Sequence, residues 1–272
     1  MTYFGFLIRF LVLPILMLGA IAIYDQRRGR SIPDRLHASP LWLAIPLHMF
    51  IALAYTTLWD NYLVATRVWR YDPELVTAIT IGWVPIEEYI FFILQPLLAG
   101  LWLVFLLRRI PFNSSPDRLR SRHRWLPLAG VAGIWLVSLL TLVSGWSPGT
   151  YISLELVWAL PPIALQLAFG GDILFRYRKL VLLTIIPLTI YLSAADSLAI
   201  NLGTWTINPE KSLEILLGGI LPLEEFLFFL LTNTLVVFGT VLFLADDSWI
   251  RFRQISGWIR KTRAKQVRSS KE

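Results

Sequence analysis

Cysteine is absent from the 272 residues, so neither a disulfide framework nor a thiolate metal site can be built. Histidine is scarce: His37, His48 and His123 fall in separate segments without ligand-like spacing. No glycine-rich phosphate loop follows a strand and no dinucleotide fingerprint occurs, so nucleotide-dependent redox chemistry lacks its binding motif. Tyr71-Asp72-Pro73-Glu74 holds two acids, but no second carboxylate motif accompanies it to make a magnesium site for diphosphate ionisation. Neither a cofactor nor a metal is expected. Acidic residues are also few, 18 against 25 Lys and Arg, which leaves a net charge of +7. That positive charge lies in short blocks beside apolar segments, a pattern of membrane topology and not of nucleic-acid binding. Membrane lipid is the expected surrounding, and no nucleic-acid partner is expected.

What the chain has in abundance is hydrophobic sequence, 56% by composition with mean hydropathy +0.62. It is arranged in runs long enough to cross hydrocarbon, about 20 residues each. The expected spans are 3–24, 41–59, 78–107, 125–145, 152–170, 180–200 and 213–245, separated by charged or Pro/Gly-containing connections. Phe4 to Ile23 lacks a small-residue cleavage signature and reads as a retained first helix. Spans three and seven are longer than a crossing requires. Pro85 and Pro222 lie inside them, and either the crossing helix starts at the proline or a long tilted helix kinks there.

Of the 25 Lys and Arg residues, 21 lie in the 25–40, 108–124 and 171–179 loops and the tail after 245. This bias predicts a multi-pass cell-membrane protein with its amino terminus extracytoplasmic and its carboxyl terminus cytoplasmic. The basic tail is expected to lie along anionic headgroups.

The chain also repeats itself. Asp60, Trp69 and Pro73-Glu74 recur as Asp196, Trp205 and Pro209-Glu210, all 136 positions later. Pro85-Ile86-Glu87-Glu88 recurs as Pro222-Leu223-Glu224-Glu225 at 137, and Pro14 and Asp25 recur as Pro161 and Asp172 at 147. The expected fold is therefore an all-α polytopic membrane protein in which spans one to three and five to seven are parallel three-helix repeats. The units are residues 1–110, a basic loop and connector helix over 111–150, a second repeat over 151–245 and a basic tail over 246–272.

Carboxylates are costly in apolar surroundings and need a partner, water or a function. Glu87, Glu88, Glu224 and Glu225 are the candidate catalytic residues, with Asp60 and Asp196 expected at the same level of the membrane. Grouped carboxylates cannot all remain ionised cheaply, so one can hold a proton while its neighbour acts as a base, the division that general acid–base chemistry needs. Successive helical residues diverge by about 100°, so at most one glutamate of each pair can point straight into a shared cleft. Tyr89, Phe91, Phe92, Phe226, Phe228 and Phe229 stand beside the acids as a candidate apolar pocket whose π faces can stabilise a cation. Gln95 and Asn233 lie further down the same helices as candidate amide donors.

The duplicated Pro-x-Glu-Glu pattern, in a chain of this length and span count, resembles the fused heterodimer-type lycopene β-cyclases of carotenoid biosynthesis, over essentially residues 1–245. The resemblance implies a linear ψ-end carotene, normally lycopene, isomerised through a carbocation to γ-carotene and β-carotene without redox chemistry. It carries over to Glu87, Glu88, Glu224 and Glu225 alone; Glu88 and Glu225 are expected as the principal proton-transfer residues with Glu87 and Glu224 tuning them, and the reverse split stays open. Other carotenoid-biosynthesis enzymes are conceivable partners. The stretch after residue 245 is expected to be too short for the phytoene synthase domain that some fungal relatives carry. A carotenoid end-group hydratase and a proton-coupled transporter are the alternative readings. A retinal pigment is a poor one, because the seventh span has no internal lysine.

Overall fold

The computed structural model describes residues 1–77, 79–110 and 121–269, with side chains described to residue 258. The central part of the expected 108–124 loop, the expected first residue of span three and the end of the basic tail lie outside the described residues. Among the described residues, seven helices are long and apolar enough to cross a membrane. They are α1 (Tyr3–Arg27), α2 (Leu41–Ala65), α3 (Ile86–Leu107), α4 (Arg122–Ser144), α5 (Thr150–Arg176), α6 (Arg178–Asn201) and α7 (Leu223–Leu244). An eighth helix, α8 (Asp246–Ser269), follows directly and leaves Ile250, Phe252 and Trp258 exposed.

α3 and α7 form the centre. In the most apolar stretch of α3, 61% of residues are buried, against 6% in α4, which packs on α5 and otherwise faces outward. The other helices surround this pair, with α2 and α1 on α3 and with α5 and α6 on α7.

The two long expected spans are shorter than the sequence suggested. Pro85 and Pro222 cap α3 and α7 in extended conformation, so the crossing helices begin at Ile86 and Leu223 and no long kinked helix forms. The apolar residues before them fold back as hairpins instead. β2 (Thr80–Ile81) pairs with β3 (Val84–Pro85), and β5 (Leu216–Leu217) pairs with β6 (Leu221–Pro222). Gly82 opens the first turn at φ 66°, and a side chain there would collide with Asn61 Oδ1, 2.2 Å from the place of its Cβ. A third antiparallel pair, β1 (Trp69–Tyr71) with β4 (Trp205–Ile207), crosses between the two halves of the chain, Trp69 facing Ile207 and Tyr71 facing Trp205. The fold is thus largely helical, as expected, with short strand pairs at one end that the sequence did not suggest. Single strand residues between spans carry too little pattern to be read as strands.

Prolines inside the spans each remove one helical N–H and free the carbonyl four residues earlier. Here such carbonyls are taken by side chains of neighbouring helices. Tyr55 donates to Trp158 O ahead of Pro162, Tyr191 to Phe10 O ahead of Pro14, and Trp135 to Val157 O ahead of Pro161. Prolines that break one helix's ladder therefore stitch it to the next.

At the opposite end from the strands, Asp25 and Asp172, both buried, terminate the bundle in ion pairs. Arg109 grips Asp25 through two bonds of 2.5 and 2.9 Å, and Arg251 grips Asp172 through two of 2.7 Å. Bidentate guanidinium–carboxylate geometry is the strong form of this contact.

Candidate active site

The Pro–Glu–Glu turns place two carboxylates at the start of each central helix, where exposed backbone N–H groups and the helix dipole favour negative charge. The two glutamates of each pair then diverge, as helical geometry requires. Glu87 turns back to the preceding loop, accepting the Thr77 N–H at 2.6 Å and the Thr77 hydroxyl at 3.0 Å. Glu224 does the same with the Leu213 N–H at 2.8 Å. Both therefore hold the segment leading into their helices.

Glu88 and Glu225 turn inward to one small cavity between the halves. The cavity is also lined by Asp60 from α2 and Asp196 from α6, so four of the six expected carboxylates meet there. Its walls are aromatic: Phe91, Phe92, Phe228 and Phe229, as expected, together with Trp59, Trp69 and Trp205. Four other expected pocket residues lie elsewhere. Tyr89 donates its hydroxyl to Ile81 O at 2.6 Å and braces the first hairpin, and Gln95 and Asn233 bond each other at 2.6 Å between α3 and α7. Phe226, half-buried, is not among the lining residues, because it lies off the face that carries Glu225 and Phe229.

Phenols serve the inward glutamates, and sequence reasoning did not find them. Glu88 Oε2 accepts from the hydroxyls of Tyr3 at 2.5 Å and Tyr71 at 2.9 Å. Glu225 Oε1 accepts from Tyr151 at 2.8 Å. Tyr151 stands 148 positions after Tyr3, one step from the offset of the Pro14 and Asp25 repeats, so the same alignment could have revealed both. Burial first, and then the Asp60 and Glu88 carboxylates and the Tyr3 phenol, push the Tyr71 phenol well above its ordinary value, so it remains a hydrogen-bond donor at neutral pH.

The aspartates differ. Asp196 accepts the Trp205 indole N–H at 2.9 Å, whereas neither oxygen of buried Asp60 has a partner among the described residues. Glu155, one turn beyond Tyr151 on α5, is a further fully buried carboxylate without a partner among them. Its position 148 residues earlier is Leu7, so no repeat signalled it. Unpaired buried carboxyl oxygens are costly. Their concentration beside a cavity walled by rings marks this as the candidate site.

Comparison with known proteins gives the same region a lineage. The profile of the family described as lycopene cyclase matches residues 2–106 and 148–256. A lycopene beta-cyclase of Halobacterium salinarum is 36% identical over 244 residues, 88% of this chain and 93% of the relative. A bifunctional lycopene cyclase/phytoene synthase of Blakeslea trispora is 34% identical over 221 residues, 75% of this chain and 36% of that longer protein. The corresponding bifunctional protein of Phycomyces blakesleeanus is 36% identical over 196 residues. No solved structure matches. With the profile covering most of the chain on both sides of α4, this protein belongs to the lycopene cyclase family.

Proposed function

We propose that the protein is a lycopene β-cyclase that closes the ψ ends of a linear carotene by proton transfer, giving γ-carotene and then β-carotene. The observation that carries this reading is the convergence of Glu88, Glu225, Asp60 and Asp196 on one ring-walled cavity. A carboxylic acid protonates C2 of the terminal C1–C2 double bond and leaves a tertiary cation at C1. The C5–C6 π pair forms the C1–C6 bond, which moves the cation to C5. A carboxylate removes the C6 proton, and the freed pair becomes the new C5–C6 double bond. One proton enters and one leaves, so the substrate is isomerised and no electron acceptor is needed.

Glu88 and Glu225 carry the two proton transfers. Asp60 and Asp196 orient protons between them, and Glu87 and Glu224 hold the loops. The phenylalanine and tryptophan faces stabilise the passing cation and keep out the water that would trap it as an alcohol. Two parallel three-helix repeats, 1–110 and 151–245, produce the site. The cross-half β1–β4 pair, the Tyr3 and Tyr151 donors and the loop-holding Glu87 and Glu224 support this arrangement. The strand end and the cavity face the extracytoplasmic side, and the arginine-rich end faces the cytoplasm.

Expression in a lycopene-accumulating host tests the reading. Mass-neutral conversion to γ-carotene or β-carotene by the intact chain is expected, with loss in an equally abundant Glu88→Gln/Glu225→Gln variant. Unchanged lycopene with correctly inserted intact protein would sink it, and a product heavier by one water would replace cyclisation with hydration.

A further inference from the structure

The cavity around the four carboxyls is small, with room for little more than a few waters. Its rings must part to admit an end group, and a linear carotene is roughly as long as the hydrocarbon core is thick, about 30 Å. Its polyene must therefore leave the cavity between two helices. On the reading proposed above, one seam stands out.

Between α2 and α5 a column of four rings runs from the lipid-facing surface to the cavity wall. Tyr55, 42% exposed, stacks on Trp158 with centroids 5.4 Å apart and planes 19° apart. Trp158 stacks on Trp59 at 4.4 Å and 16°. Trp59 in turn lies parallel to Phe228 at 5.9 Å and 4°, and both of these rings line the cavity beside Glu225. The helix backbones approach little here, and side chains close the seam. Tyr55 donates to Trp158 O at 2.8 Å, and Trp59 Nε1 donates to Leu154 O at 3.3 Å. The first of these bonds ends on a carbonyl already freed by Pro162, so breaking it leaves the ladder of α5 intact.

The other half repeats the latch without the column. Tyr191, 136 positions after Tyr55, donates to Phe10 O at 3.1 Å, ahead of Pro14. The counterpart of Trp59 is Ala195, however, and Phe10 meets Phe6 at a tilt of 48°. Among the described residues, a run of four near-parallel rings between two helices occurs at the α2–α5 seam.

We propose that the polyene arm of the linear substrate lies across the α2–α5 seam against the Tyr55–Trp158–Trp59–Phe228 rings, with its end group delivered to Glu225 and Glu88. The Tyr55 latch opens to admit the arm and closes behind the end group.

Because the chain has no cysteine, the pair Tyr55→Cys/Trp158→Cys carries the only thiols, and a short bis-maleimide can bridge the seam. Lycopene turnover by the unbridged pair is expected to fall below that of the wild type, because it lacks the latch and one ring, and bridging is expected to abolish what remains. The matching pair Tyr191→Cys/Phe10→Cys is expected to keep its turnover on bridging. Undiminished turnover after bridging α2 to α5, or equal loss at both seams, overturns the proposal. Thiol protection supplies a second readout that needs no turnover. Trp158→Cys should react with a membrane-permeant maleimide more slowly when lycopene is present, while Leu140→Cys on the outer face of α4 should not change. Equal reactivity of the Trp158→Cys thiol with and without lycopene overturns the proposal. An inactive wild-type protein would instead strike the cyclase reading, leaving the seam to be judged by protection alone.

Discussion

The cluster around Glu88 and the cluster around Glu225 are built on the same plan and equipped differently. Each glutamate begins a central helix behind a proline, and each has a preceding glutamate that fastens a loop. Glu88 receives two phenol hydroxyls, and its neighbouring aspartate has no partner among the described residues. Glu225 receives one phenol, its neighbouring aspartate is tied to an indole, and a further bare carboxyl, Glu155, lies nearby. Tyr71, the second donor to Glu88, has Ile207 at the repeat position. The repeat positions that shape the cavity match between the halves, whereas the groups bonded to the two inward glutamates differ. On the cyclase reading proposed above, that inequality lets one carboxyl hold a proton while another accepts one.

The largest expected effect separates cavity-facing from loop-holding glutamates. Glu88→Gln and Glu225→Gln should each lower turnover by roughly 10²–10⁴, the usual contribution of a positioned acid or base. Glu87→Gln and Glu224→Gln keep a carbonyl oxygen for the Thr77 and Leu213 N–H groups and should retain most turnover at normal abundance. Product analysis of the four single variants decides it. A Glu87→Gln loss equal to that of Glu88→Gln would end the distinction.

A smaller effect tests the unequal donors. Tyr151→Phe removes the one phenol donated to Glu225, whereas Tyr3→Phe leaves Glu88 with Tyr71. A hydrogen bond to an ionised group is worth about 1.5–3 kcal/mol, so Tyr151→Phe should slow turnover by about tenfold or more and Tyr3→Phe by less. The ratio of the two rates under identical expression is the measurement. Equal rates would mean that the second phenol does not compensate.

Much of this plan was legible in sequence because hydropathy reports what lipid permits. Every expected span overlaps one of the seven helices, and the repeat that drew attention to Glu88, Glu225, Asp60 and Asp196 singles out residues gathered at one cavity. Hydropathy failed where apolar chain is folded without being helical. The runs before Pro85 and Pro222 form hairpins that remain as greasy as the helices they precede. The phenol donors were hidden for a different reason. Tyr3 and Tyr151 sit in the first turns of their helices, where an aromatic ring ordinarily marks the membrane interface. Glu155 had no repeat partner to draw attention to it. The β1–β4 pairing joins residues far apart in sequence, and three-residue strands leave no periodicity to detect.

The smallest effect concerns two helix ends that are identical in bonding and different in residue. After α2, the Arg67 N–H bonds to Val64 O and the Val68 N–H bonds to Leu63 O. After α6, the Gly203 N–H bonds to Ile200 O and the Thr204 N–H bonds to Ala199 O. Both are Schellman closures, which need a left-handed residue at the position after the cap. Gly203 sits at φ 73° and Arg67 at φ 58°, so the first half places a side chain where the second has none. A non-glycine residue in this region costs about 1–2 kcal/mol, while glycine at the same site gives back roughly 0.5–1 kcal/mol in chain entropy. Arg67→Gly should therefore stabilise the protein by about 0.5–1 kcal/mol, and Gly203→Ala should destabilise it by a similar amount. The exposed Arg67 side chain makes no hydrogen bond or ion pair among the described residues, and its carbonyl, which accepts from Asn208, survives the change. Thermal unfolding in detergent reads both signs at once. Shifts of the same sign would show that the two ends differ by more than the side chain at one left-handed residue.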